Sequence, residues 1–383
     1  MHSLTRISNL VVTALANDAC RGCRPSSNKQ LEAYVLLWAV AGPAPGTTQQ
    51  STSASASMSP GFAGLRVTLW SIRQQDAIRP IVIMALAADP ALSELVARVQ
   101  NARVRLVPQI LASRISNPRC KAGVEKVLDR HRPVPLRQRS PGATKGNMTS
   151  DERYWLRRYL EGMQMFTKVN VFNLTEYARV LYVDTDTLVT RPLEYLWNLT
   201  FLPHEAVAAV PTLTKGRFKI DRRYNKSHYG RAKRCRDYKY PENRKYNAGV
   251  FLGRPIGALY DAWLAAMDDR AFEFNCANDQ ELFNILLAKR HARCIGRSFN
   301  CYDLPVVTEP RSASSAASMA SYYCGDVAVH GETRWNPSAW INDSAPTGSA
   351  PHVLHFAMKT KPWLATQHSY YQKMWTRLNH SWS

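Results

Sequence analysis

The stretch RVLYVDTDTLV, Arg179 to Val189, constrains this chain more than any other. An apolar run of strand length leads into two aspartates, Asp184 and Asp186, one residue apart, and then the apolar pattern resumes. Carboxylates beside a core are costly unless something pairs with them. Arg191 supplies a single cation, five residues past the second aspartate. A metal ion is the other candidate partner. The D-x-D spacing can aim two carboxylates at one cation, and hard ions such as Mn²⁺ or Mg²⁺ take oxygen ligands and share them with substrate phosphates. The competing reading is a strand-end Asx turn with a helix cap.

The chain around this motif alternates between two periodicities. FAGLRVTLWSIRQQ has Leu65, Leu69 and Ile72 at helical spacing, and PIVIMALA from Pro80 reads as a buried strand. PALSELVARVQ reads as a helix and ARVRLVPQI as a strand. DERYWLRRYLEGMQMFTKVNVFNL is helical in pattern, RVLYVD is a strand, and PLEYLWNL is a short helix. EAVAAVPTL, NAGVFLG and HVLHFA read as strands, with helices expected over Ile256–Met267 and Asp279–Ala288. Strands alternating with helices imply an α/β domain with a largely parallel sheet and helices on its faces. Asn9–Asp18 and the run from Glu32 are both candidates for the first strand, and Gly46–Gly61 is a low-complexity loop.

In such a sheet, ligands bind outside the carboxyl ends of the strands, which is where Asp184 and Asp186 fall. Three more segments fit that position. HFAMKTKPW carries His355 at a strand end and Lys361 six residues later. An imidazole ligand and a cation suit the stabilisation of a departing diphosphate. NAGVFLG offers the amide of Asn247 beside Gly249, where backbone can approach a ligand closely. NDQELF puts Asp279 and Gln280 at a helix start, where a carboxylate either caps the helix or points into a cleft. Taken alone, His355 reads as a satisfied core histidine.

The 383 residues, 45% of them hydrophobic, suffice for a substantial core. A formal net charge of +21 favours anionic partners. Eight cysteines include a lone Cys20-x-x-Cys23 pair, which without a second pair does not point to zinc. No apolar run reaches the ~18 residues needed to span a bilayer. Ala33–Ala44 has the length of a signal-peptide core but follows Glu32 and begins too late, so it reads as a buried strand. Sequons at Asn147, Asn173, Asn198, Asn225, Asn342 and Asn379 lean towards a secretory-pathway lumen. Asn173 and Asn198 fall inside element-like patterns, which argues against their use.

Together FTK, VLYVDTDTLV, YNAGVF, NDQ and HFxxxxKPW resemble glycosyltransferase family 8, the glycogenin-like retaining transferases, in order and in spacing. The resemblance runs from about Gly61 to Trp363. It implies a GT-A-type nucleotide-sugar transferase fold with a mostly parallel, Rossmann-like sheet. It further implies Mn²⁺-dependent transfer of a sugar from a UDP-sugar with retention at the anomeric carbon. On that resemblance Asp184, Asp186 and His355 hold the metal, and Lys361 contacts the diphosphate. Lys168, sixteen residues before Asp184, sits near the donor. Asn247 and Gly249 line the sugar pocket, and Asp279 and Gln280 lie nearest the reacting carbon on the acceptor side. Thr187 follows the second aspartate as in the family. Met358 departs from it, standing where the family usually has a glycine against the phosphates.

The expected organisation is an N-terminal segment over 1–60, which could contain the first strand, a catalytic domain over 61–370 and a tail over 371–383. A basic, tyrosine-bearing insertion over 214–246 reads either as a solvated surface loop or as a platform for an anionic acceptor. The acceptor itself, glycan, lipid or protein, is left open, as are membrane-surface association and a homodimer. Golgi or another secretory lumen is the expected location, with the cytoplasm as the alternative. Two rival functions remain: an inactive relative that only binds nucleotide sugars, and a basic nucleic-acid-binding protein. The second lacks RNP-type and zinc-finger patterns, so no nucleic-acid partner is expected.

Overall fold

The computed structural model describes residues 13–18, 21–24, 26–38, 60–110, 166–211, 246–268, 283–284, 292–294 and 352–356. The basic insertion before Tyr246, and Asp279, Gln280, Met358 and Lys361, lie outside them.

The strands are eight residues or shorter, apolar runs in the centre of the sheet and arginine-bearing at its edges, Ala102–Leu106 and Ala292–Cys294. They are β1 (Glu32–Trp38), β2 (Ile81–Ala85), β3 (Ala102–Leu106), β4 (Arg179–Val183), β5 (Thr187–Val189), β6 (Val207–Pro211), β7 (Tyr246–Gly253), β8 (Ala292–Cys294) and β9 (Val353–His355). Helices among the described residues include α1 (Pro60–Gln75), α2 (Pro90–Ala97), α3 (Glu194–Trp197) and α4 (Gly257–Asp268). The start of α2 is set locally. Pro90 occupies its first turn, and the Asp89 side chain accepts from the backbone N–H groups of Ala91 and Leu92.

The main sheet has the order β3-β2-β1-β4-β7-β6-β8. Strands β3, β2, β1 and β4 pair in parallel, and β6 pairs in parallel with β8. Only β7 of these seven is reversed, antiparallel to both β4 and β6. The sheet is therefore mostly parallel, with helices on both faces: a GT-A-type α/β architecture. Both faces are covered: the central strands are buried at almost every position and mostly apolar, as strands packed on two sides are. Leu65, Leu69 and Ile72 of α1 pack with Leu36, Ile83 and Leu181 on one face. On the other, Phe172 and Trp263 of α4's side pack with Val35, Tyr182 and Phe251.

Two expectations need correction. Residues 13–17 are helical, not a strand. The sheet position is taken by Glu32–Trp38, and the alanine-rich turn instead buries Ala14 and Leu15 against a sheet face. The helix expected to run to Leu174 is, in its described part, a 3₁₀ helix over Phe166–Asn173. Its crowded apolar residues Phe166, Val169, Val171 and Phe172 are all buried, too many for one face of an α-helix, and the tighter winding suits them.

Candidate active site

The chain leaves β4 at Val183 and turns through Asp184-Thr185-Asp186. It then enters β5, which departs from the main sheet and pairs antiparallel with β9. The register sets Thr187 opposite His355. Pairing with a strand from the far end of the chain is thus what brings an imidazole to the two aspartates.

One ligand atom from each of Asp184, Asp186 and His355 lies within 4.8 Å of the others. His355 Nε2 is 3.2 Å from Asp186 Oδ1 and 3.7 Å from Asp184 Oδ2. His355 is nearly buried, while Asp184 retains 27% side-chain exposure, so the cluster opens to solvent on the aspartate side. The neighbouring His352 does not share this role. It accepts backbone and side-chain hydrogen bonds from Thr190 at its carbonyl, and burial, with Arg191 adding to it, pushes its imidazole down to about 4.

Gly249, on β7, makes the cluster sterically feasible. A Cβ there would stand 2.1 Å from His355 Cε1 and 2.8 Å from Asp184 Oδ2. The missing side chain leaves room for the imidazole and carboxylate to converge. Two hard carboxylates, one imidazole and a cleared pocket suit a divalent cation such as Mn²⁺. Asn247 turns back on the same strand: its Oδ1 accepts from Gly249 N at 2.7 Å.

Lys168 and Tyr182 hold the other side of Asp184. The Lys168 ammonium is 3.1 Å from Asp184 Oδ1, donates to Ala248 O at 3.1 Å, and lies 4.7 Å from the Tyr182 ring centroid. The Tyr182 hydroxyl donates to Asp184 Oδ1 at 2.8 Å. Tyr182 was not singled out from sequence, although the signal was there. Strand side chains alternate, so the residue two before Asp184 lies on its side of β4.

The turn's backbone is equally restrained. Asp184 N donates to Gly249 O at 2.8 Å, and Phe356 N donates to Asp186 O at 2.9 Å. Thr187 Oγ1 donates to Asp184 O at 2.8 Å. Of the residues expected in the site, Asp184, Asp186, His355, Gly249, Asn247 and Lys168 come together. Asp279, Gln280 and Lys361 lie outside the described residues.

The family model described as Glycosyl transferase family 8 matches residues 148–367, more than half of the chain. The chain belongs to glycosyl transferase family 8. Every residue expected in the site lies within that stretch, whereas β1, β2 and β3 precede it. The family 8 chain is similar to the inositol phosphorylceramide glucuronosyltransferase 1 of Arabidopsis thaliana, at 22% identity over 219 residues. The match covers 57% of this chain and 30% of that protein. Among solved structures it is similar to the galactosyltransferase LgtC, with 16% identity, 91% of this chain and 95% of that chain covered, and a TM-score of 0.45. Mouse xyloside xylosyltransferase 1 matches with 13% identity, 85% and 98% coverage, and a TM-score of 0.41.

Proposed function

We propose that this family 8 chain transfers a sugar from a UDP-sugar to an acceptor hydroxyl, with retention at the anomeric carbon, and that the reaction requires a divalent metal. The observation that carries the reading is the convergence of Asp184, Asp186 and His355 in the space left by Gly249. Mn²⁺ or Mg²⁺ held by those three residues would offset the negative charge of the donor diphosphate.

The chain's own residues supply the rest. Tyr182 and Lys168 engage Asp184 Oδ1, which leaves Oδ2 on the side of His355. Lys361 is assigned to the diphosphate, where a cation stabilises the leaving charge. Asn247 is assigned to the sugar pocket, and Asp279 with Gln280 to the acceptor side of the reacting carbon. In the reaction, the bond between the anomeric carbon and the diphosphate oxygen breaks. The acceptor oxygen bonds to that carbon and loses its proton, and UDP departs.

The net charge of +21 and the basic stretch over 214–246 favour an anionic acceptor. The similar Arabidopsis protein is named for a phosphorylated lipid acceptor and a glucuronosyl group, and a phosphorylated headgroup is the kind of acceptor this charge suits. A secretory lumen is the proposed location. It is supported by the sequons and by Cys23, which is disulfide-bonded as expected of an oxidising compartment.

UDP release across a panel of UDP-sugars, with and without Mn²⁺ and with Asp186→Asn as control, tests the proposal. The expected result is metal-dependent release with one dominant donor, lost in the control. No release with any donor, and no metal-dependent UDP binding, would leave the chain a binding-competent relative at most.

A further inference from the structure

We infer that Thr68, on α1, is a positioning residue for the metal-binding turn. The inference rests on the metal reading of Asp184, Asp186 and His355. Thr68 is fully buried, and its hydroxyl lies 3.1 Å from the carbonyl of Thr185 and 2.8 Å from that of Thr187. These two carbonyls flank Asp186. A threonine hydroxyl has one proton, so it is shared between them in a three-centre bond.

The consequence is specific to Asp186. The peptide unit before it is oriented by Thr68 through Thr185 O. The unit after it is oriented by Phe356 N through Asp186 O. With both neighbouring peptide planes held, the direction of the Asp186 carboxylate towards His355 is set by the backbone. One helical turn on, Ser71 Oγ donates to Thr68 O at 2.8 Å and accepts from Val189 N at 3.1 Å. The helix is thereby tied to the strand that carries the turn to His355. Thr68 lies outside the residues matched by the family model, so the restraint comes from a part of the chain the family motifs do not include. Residues that orient a metal ligand without touching the metal typically change metal affinity by about 10–100-fold.

The test is direct Mn²⁺ binding to the purified full chain, read from the free Mn²⁺ signal in electron paramagnetic resonance without any sugar nucleotide. Thr68→Val keeps the shape and removes the donor. Thr68→Ala also removes it but leaves space for a water, so a folded variant is obtained if valine is not tolerated. Thr68→Ser restores the hydroxyl. Melting in EDTA is measured in parallel, so that affinity refers to folded protein. The expected result is Mn²⁺ binding weakened about 10–100-fold in Val and Ala and restored in Ser. If wild type binds Mn²⁺ and the folded Val or Ala variant stays within about twofold of it, Thr68 is merely structural and the inference falls alone. If wild type itself binds no Mn²⁺, the metal reading falls and takes the inference with it.

Discussion

Tyr182 donates a 2.8 Å hydrogen bond to Oδ1 of Asp184, so the two oxygens of that carboxylate have different work. Oδ1 is engaged by Tyr182 and Lys168, and Oδ2 is the oxygen near His355. A carboxylate held at one oxygen presents the other in a defined direction, at little further entropic cost on binding. Tyr182→Phe removes one bond and almost no volume from a buried, stacked ring. The variant should stay folded and bind Mn²⁺ about 10-fold more weakly. Metal titration of the UDP-release rate, beside a melting curve, checks this; an unchanged metal midpoint would remove Tyr182 from the site.

Gly249→Ala is the more severe change. The added methyl would meet His355 Cε1 at 2.1 Å and Asp184 Oδ2 at 2.8 Å. The imidazole must therefore move, and the three-ligand geometry is lost. Metal binding should fall at least 100-fold, the upper range for disturbing ligand placement, while β7 remains paired between β4 and β6. Calorimetric Mn²⁺ titration together with circular dichroism separates the two effects. An alanine variant with wild-type affinity would mean that the cluster is not the metal site.

At the opposite end of the sheet, Arg79 is buried and shared. Its guanidinium bonds Glu32 at 2.9 Å, Asp76 at 2.7 Å and Glu194 at 2.9 Å, and it covers the Trp197 ring at 4.6 Å. Glu32 and Asp76 are themselves nearly buried. Arg79→Met would strand both charges, at a cost of about 3–5 kcal/mol. The half-exposed Glu194 adds little to that because solvent screens it. Denaturant unfolding gives the number, and a loss below about 1 kcal/mol would refute the network's importance.

The same network predicts acid sensitivity. Burial alone would raise the Asp76 carboxyl, but hydrogen bonds from the Arg79 side chain and from the backbone N–H groups of Arg79 and Ile78 hold it below its ordinary 3.8. A folded-state value below the unfolded one stabilises the protein above pH 3.8. That contribution is lost as the pH falls below 3.8 towards the folded value. Stability measured from about pH 6 to about pH 3 should decline less steeply at its acid end in Asp76→Asn than in wild type. Parallel profiles would show that Asp76 does not drive it.

Asn173 and Asn198 were expected to be unused sequons because they fall in element-like patterns. The structure puts both at element ends, with exposed side chains. They lie away from the Asp184–Asp186 turn. Asn173 precedes the start of β4, and Asn198 follows Trp197, whose carbonyl accepts from Arg179 at that same start. Expressed through a secretory pathway, the chain should carry glycan at these sites, with UDP-release activity unchanged in Asn198→Gln. Mass spectrometry before and after enzymatic deglycosylation reads occupancy; unmodified asparagines in secreted protein would count against the lumenal assignment.

The strands were legible because their signal is local. Glu32–Trp38, Ile81–Ala85, Arg179–Val183 and Tyr246–Gly253 are buried at almost every position, and continuous apolar runs record that burial. The helical turn at 13–17 was misread because a short apolar run suits either conformation. Only competition for the sheet, won by Glu32–Trp38, decides between them.

By itself, the sequence determined the mostly parallel α/β class, the family, and the residues of the Asp184, Asp186 and His355 cluster. Those depend on periodicity and on motif spacing, which survive in one dimension. Tertiary structure alone decided that β7 runs against its neighbours and that β5 leaves the main sheet to pair with β9, which sets His355 opposite Thr187. It alone revealed that Gly249 clears space for His355 and Asp184, and that Thr68 and Tyr182 orient the aspartates. The physical reason is that these are relations between segments distant in sequence. A hydroxyl on α1 and a carbonyl beside Asp186 leave no pattern in the chain until packing brings them to hydrogen-bond distance.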